Sequence, residues 1–95
     1  MKDRRWMNLG KMVIRYKVFP IDINVDLQIL YNKIKDKISG MAEVGQFKSE
    51  PIAFGLNALI LDIRIDDKAD VDAMESMIRQ VEDVGEFEVI ASTKV

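Results

Sequence analysis

The side chains that most often carry acid–base or metal chemistry are missing from this sequence. Its 95 residues include no histidine and no cysteine. The commonest general base, the imidazole and thiolate metal ligands, the cysteine nucleophile and any disulfide are therefore excluded. Chemistry could rest only on carboxylates and lysines, so the composition favours a binding protein over an enzyme.

Four aspartates lie close together in the second half of the chain: Asp66, Asp67, Asp70 and Asp72. A calcium loop of the EF-hand type needs a central glycine and a terminal bidentate glutamate, and this cluster has neither at the required spacing. Capping of a helix together with a solvated turn explains the four residues better. Because cysteine, GxGxxG and P-loop patterns are also absent, we predict no iron–sulfur cluster, no metal and no cofactor.

The most unusual stretch runs Glu-Pro-Ile-Ala-Phe-Gly-Leu from Glu50 to Leu56. Pro51 fixes one φ angle and removes a hydrogen-bond donor, while Gly55 permits a positive φ or a close backbone approach. An aromatic residue, Phe54, and two apolar neighbours therefore stand where a turn would ordinarily be polar. Two interpretations stay open: the loop folds its own side chains onto the core, or a rigid turn displays Phe54 to another molecule.

The second candidate is the penultimate residue, Lys94. Its ammonium is a compact cation on a flexible stem, and the pattern places it after the last strand, free of the fold. Taken alone, such a residue is interpreted as a solvated tail.

Length and composition predict one ordinary globular domain, with 48% hydrophobic and 32% charged residues. No apolar run approaches the roughly 18 residues of a membrane span, and no apolar segment follows the basic N-terminus, so we expect no secretory signal. Residues 1–10 show no period and are predicted to be a loose N-terminal arm before a domain at 11–95.

The net charge of −2 hides an asymmetry between the two halves. Residues 1–48 hold ten Lys and Arg against five Asp and Glu, whereas residues 49–95 hold four against eleven. A domain that binds nucleic acid is usually basic overall. A protein partner with mixed electrostatics is therefore more plausible.

Hydrophobic periodicity predicts six elements in the order βαββαβ. They are a strand at Lys11–Phe19, a helix from Asn24 or Asp26 to about Ser39, strands at Glu43–Glu50 and Leu56–Ile65, a helix from Asp70 or Asp72 to Gly85, and a strand at Glu86–Ser92. Two right-handed crossovers joined in this order give an α+β, ferredoxin-like sandwich. Its four-stranded antiparallel sheet has both helices on one face and its first and third strands at the centre, and the second and third strands form a hairpin with a longish loop.

The uncovered face of this sheet should carry charged and aliphatic residues together. The members we expect there are Lys11, Arg15, Lys17, Leu56, Ile60, Asp62 and Arg64. The face is either solvated, with long stems lying over the aliphatic residues, or covered by a partner.

Together these features resemble the archaeal elongation factor 1-beta family, over about residues 10–95. The segment from Glu50 to Leu56 closely matches the archaeal pattern, and the ending Ala-Ser-Thr-Lys-Val resembles the family's closing strand, which ends in a basic and then an aliphatic residue. The helix start Val-Asp-Leu at Val25 also fits. The departures are the extra arm at 1–10 and the uncharged pair Ser92 and Thr93.

The resemblance implies a function as well as a fold. Members bind the GDP form of elongation factor 1-alpha and speed GDP release, without covalent catalysis and without a cofactor. Lys94 matches the lysine that enters the Mg²⁺ and phosphate site of the partner, and Phe54 matches the aromatic that wedges into it. The other partner-binding positions implied are Pro51, Ile52, Gly55, Ser92, Thr93 and Val95. The resemblance further implies a cytoplasmic protein that contacts neither nucleic acid nor membrane directly.

Three other functions were weighed against the residues. A ferredoxin-like small-molecule sensor that dimerises through its sheet stays open as the alternative. An acylphosphatase needs an arginine-bearing phosphate loop after the first strand, and residues 20–25 contain an acid and no arginine. RNA-binding sheets stack bases on aromatic side chains of the central strands, and the third strand has no aromatic ring.

Overall fold

A computed structural model describes residues 11–94, and it has the predicted element order. The elements are β1 (Lys11–Pro20), α1 (Leu27–Ile38), β2 (Glu43–Ala53), β3 (Leu56–Asp66), α2 (Val71–Arg79) and β4 (Val84–Lys94). The strands form one antiparallel sheet in the order β2-β3-β1-β4, with β1 and β3 at its centre as expected. The predicted arm at residues 1–10 and the implied contact residue Val95 lie outside the described residues.

The core lies on one face of the sheet, because strand alternation places every second side chain on the same side. Alternate pairs across β1 and β3 are buried: Ile14 with Ile63, Tyr16 with Leu61 and Val18 with Leu59. The helices contribute Leu30, Ile34 and Ile38 from α1 and Met74 and Ile78 from α2 to the same cluster. Both helices therefore cover this face, which confirms the ferredoxin-like sandwich.

Each helix begins at a capping aspartate. Asp26, rather than Asn24, caps α1 by accepting hydrogen bonds from the amides of Gln28 and Ile29 at 2.8 and 3.1 Å. At α2 the cap is Asp70, which accepts from the amide of Ala73 at 3.0 Å. These bonds satisfy amides that the first helical turn leaves without partners.

The second helix is shorter than predicted. It ends at Arg79, whereas the sequence predicted its end at Gly85. Gly85 belongs to β4, beside an irregularity in the pairing with the end of β1. A Cβ atom on Gly85 would lie 3.0 Å from the carbonyl oxygen of Phe19 and 3.4 Å from that of Pro20. The glycine therefore serves the close approach of two strands and does not terminate a helix.

Candidate functional site

The hairpin between β2 and β3 closes in a two-residue turn. β2 continues through Pro51 to Ala53, which pairs with Leu56, so only Phe54 and Gly55 remain in the loop. Their φ angles are 49° and 84°, and positive values at both central residues are typical of a type I′ turn. The longish loop expected from the sequence is wrong, because β2 is an edge strand and an edge strand tolerates proline.

The side chain of Phe54 contributes nothing to the core, since it is 99% exposed. The left-handed conformation of a residue with a Cβ costs about 1–2 kcal/mol, and a bulky residue rarely adopts it. The apolar neighbour Ile52 is also exposed. Of the two interpretations of this segment, the structure therefore shows a turn that displays its aromatic ring.

At the other end of the chain, Lys94 is the last residue of β4 and lies opposite Met12 of β1. Ser92 and Thr93 pair with β1 in the same ladder and are exposed on an edge strand. The prediction that the lysine follows the strand and is free of the fold is wrong, because the beginning of β1 supplies partners for two more residues of β4 than expected. The ammonium itself is accessible, since the Lys94 side chain is 75% exposed.

Phe54 and Lys94 lie at opposite ends of the sheet. Leu56 follows the hairpin turn, whereas Ile65 at the far end of β3 pairs with Met12, the partner of Lys94. At about 3.4 Å per residue, the length of strand from Leu56 to Ile65 is about 30 Å. No small molecule reaches both side chains, so a partner that contacts both must be a macromolecule.

Two basic residues on the uncovered sheet face are paired with acidic neighbours. Arg15 and Asp62, directly opposite each other on β1 and β3, form a bidentate pair at 2.8 and 3.1 Å. Lys17 Nζ lies 2.6 Å from Glu50 Oε2. The hydrogen bond from Arg15 is the main reason that the pKa of Asp62 is lowered. The pairing of these two basic residues agrees with a solvated face, while the alternative, a face covered by a partner, stays a prediction.

The aspartate cluster was only partly understood from the sequence. Asp66 accepts from the amide of Lys68 at 2.9 Å, and Asp70 caps α2, as capping and a polar turn require. Asp67 does neither: its side chain is only 19% exposed, its Oδ1 atom is buried, and its Oδ2 atom lies 3.7 Å from Lys94 Nζ. The solvated turn predicted here is wrong for Asp67, and no local sequence signal distinguishes it from its neighbours.

Within residues 11–94, no three His, Cys, Asp or Glu side chains are grouped in a way that could hold a metal ion. None of the helices described is long and apolar enough to cross a membrane.

A model of the EF-1 guanine nucleotide exchange domain matches residues 13–95, nearly the whole chain. The chain belongs to this family. Three archaeal members named elongation factor 1-beta illustrate the similarity. The protein of Staphylothermus marinus is 35% identical over 89 residues, covering 92% of this chain and 99% of its own length. That of Saccharolobus islandicus is 33% identical over 86 residues (88% and 94%), and that of Thermoplasma volcanium is 28% identical over 80 residues (83% and 91%).

Membership of the exchange-domain family confirms the resemblance read from the sequence. It supports a role as an exchange factor in translation elongation, acting without catalytic chemistry of its own. The matched region contains both the hairpin turn with Phe54 and the end of β4 with Lys94. Both candidate contact sites therefore belong to the part of the chain that is shared with the family.

Proposed function

We propose that this protein binds the GDP form of elongation factor 1-alpha and promotes GDP release through two separate contacts. One contact is the exposed ring of Phe54, and the other is the exposed ammonium of Lys94. The observation that carries the proposal is their arrangement in a member of an exchange family: a displayed aromatic and a displayed cation about 30 Å apart on one rigid sheet.

Phe54 serves as the anchor that docks in the partner. Its turn is short and fixed by positive φ angles, so little conformational freedom is lost when the ring is buried. Pro51 restricts the backbone before the ring, and Gly55 adopts the positive φ that the turn requires. The exposed Ile52 extends the apolar contact. Aromatic anchors of this kind are typical hot spots, and truncation costs on the order of 2 kcal/mol.

Lys94 serves as the group that disrupts the nucleotide site of the partner. In a GTPase, GDP is held by phosphate contacts and by a Mg²⁺ ion that neutralises phosphate charge. An ammonium entering this neighbourhood competes for the oxygen ligands of the ion and repels the ion. Ser92 and Thr93 present the lysine at the end of β4 and contact the partner beside it, and Val95 completes this contact.

Exchange of this kind breaks no covalent bond in the protein. The factor binds the nucleotide-poor conformation of its partner better than the GDP-bound one, and this difference in affinity shifts the population. The role requires no cofactor and no direct contact with nucleic acid or membrane, and it is exerted in the cytoplasm. The absence of histidine and cysteine is therefore no handicap.

Release of a fluorescent GDP analogue from the cognate elongation factor 1-alpha tests the proposal. Catalytic amounts of the wild-type protein should speed release, and Lys94→Ala should abolish most of the acceleration while binding survives. Lys37→Ala, which removes an exposed lysine from α1, is the matched control and should behave as wild type. No acceleration by the wild-type protein would refute the exchange function. Equal acceleration by wild type and Lys94→Ala would show that Lys94 is a solvated residue with no part in exchange.

A further inference from the structure

Asp67 lies in the turn between β3 and α2, and no hydrogen bond of its side chain within residues 11–94 explains a role in the fold. Its side chain is only 19% exposed, and Oδ1 is buried without a hydrogen-bond partner among the described residues. The neighbouring aspartates Asp66 and Asp70 are engaged with backbone amides, whereas the side chain of Asp67 makes no hydrogen bond within residues 11–94. A buried carboxylate oxygen left in this state disfavours folding, so its retention points to another use.

Among the described residues, the ammonium of Lys94 forms an ion pair with this carboxylate, 3.7 Å from Oδ2. The two side chains differ strongly in exposure, 19% for the aspartate and 75% for the lysine. The carboxylate thus belongs to a short and largely buried side chain, while the lysine has a long and exposed stem. An ion pair between them restricts the lysine more than the aspartate, because the lysine has more rotamers to lose.

The length of the ion pair indicates that Asp67 orients the Lys94 ammonium and does not withhold it from a partner. At 3.7 Å, Lys94 and Asp67 do not form a hydrogen bond, whereas Lys17 and Glu50 on the open sheet face do so at 2.6 Å. A contact that withheld the ammonium from a partner would be short and enclosed. The observed contact leaves the ammonium accessible and attracts it toward one side.

We infer that Asp67 is a positioning residue, whose carboxylate directs the Lys94 ammonium at the end of β4 toward the nucleotide site of the partner. This inference rests on the proposed function of Lys94. It assigns to Asp67 an electrostatic effect on another side chain and no contact with nucleotide or metal.

The test compares acceleration of GDP release by the wild-type protein and by Asp67→Asn, which removes the charge at constant shape. Because the lysine half of the pair is exposed and the contact is too long for a hydrogen bond, the expected loss is about two- to fivefold at low ionic strength. The loss should shrink at high salt, because salt screens the exposed ammonium. Asp67→Ser should give a loss in the same direction. Asp72→Asn, which removes an exposed charge from the first turn of α2, should behave as wild type.

A double-mutant cycle separates positioning from a general structural effect. In the Lys94→Ala background, Asp67→Asn should produce no further loss, because the side chain it positions is gone. The inference is overturned if Asp67→Asn matches the wild-type rate, if it exceeds that rate, or if it causes the same loss in both backgrounds.

A measurement on the protein alone keeps this inference distinct from the proposed function. NMR relaxation of the Lys94 side chain should show greater mobility in Asp67→Asn than in wild type. Equal mobility would overturn the inference even if exchange is observed. If the wild-type protein does not accelerate GDP release at all, the proposed function fails. The NMR comparison of wild type with Asp67→Asn still decides whether Asp67 restricts Lys94.

Discussion

Replacing Phe54 by asparagine should change stability and partner binding in opposite directions. Asparagine adopts the left-handed conformation far more readily than phenylalanine, and an Asn-Gly pair is the preferred sequence of a type I′ turn. The native ring is 99% exposed and φ is 49°, so the substitution removes backbone strain without removing buried apolar surface. The folded state should gain stability while the proposed anchor is lost.

The expected magnitudes follow from these two observations. The strain of a residue with a Cβ in this region is about 1–2 kcal/mol, and asparagine relieves part of it, so we expect a gain of about 1 kcal/mol. For a domain of this size this corresponds to a rise in melting temperature of about 4–8 °C. Loss of an aromatic hot spot should cost about 2 kcal/mol in binding, or about 30-fold in Kd.

Thermal unfolding by circular dichroism and titration of the cognate elongation factor 1-alpha would measure the two effects. Gly55→Ala is the matched control for the turn: its φ is +84° and no atom lies within 4 Å of the added Cβ. It should destabilise the hairpin through the backbone alone. A lower melting temperature for Phe54→Asn, or unchanged affinity for the partner, would refute the reasoning.

Two further predictions concern the interior and the open sheet face. Tyr16→Phe should lower the free energy of unfolding in urea by about 1.5 kcal/mol, because it removes the 2.7 Å hydrogen bond from the buried phenol to Glu75; an unchanged midpoint would contradict this role. Since Arg15 lowers the pKa of Asp62 below 3.8, their pair should stabilise the protein above that pH and cease to do so as pH falls through the lowered value. The difference in melting temperature between wild type and Asp62→Asn should be small, because both groups are exposed, and should vanish in acid; a difference that persists there would show that it has another cause.

The fold was predictable because its periodic signals are strong and agree with one another. The alternation of Ile14, Tyr16 and Val18 and the helical spacing of Leu30, Ile34 and Ile38 both point to the core in which these residues are found. Consistency between local pattern and tertiary packing is what makes a sequence interpretable in this way. The element order could be predicted from these periodic signals, and so could the central position of the first and third strands.

The hairpin turn was missed because its sequence does not look like a turn of two residues. Pro51 suggested a loop, and only the sheet order shows that it lies on an edge strand where its missing amide is tolerated. Phe54 is an unusual residue for a positive φ, so the type I′ geometry had no familiar sequence signal. Asp67 was missed for a different reason, since its contact with Lys94 joins residues far apart in the sequence.

The departures from ordinary packing occur where the proposed contacts lie. The centre of the sheet is filled by paired aliphatic side chains and the open face by paired charges. At one end, a phenylalanine is strained and fully exposed. About 30 Å away, a carboxylate with an oxygen that has no partner within residues 11–94 lies beside an exposed lysine. Features that disfavour folding persist when they serve something else. Because the antiparallel sheet between them is rigid, a partner held at Phe54 would meet Lys94 at a fixed distance, so docking and disruption of the nucleotide site would be linked by the geometry of the sheet itself.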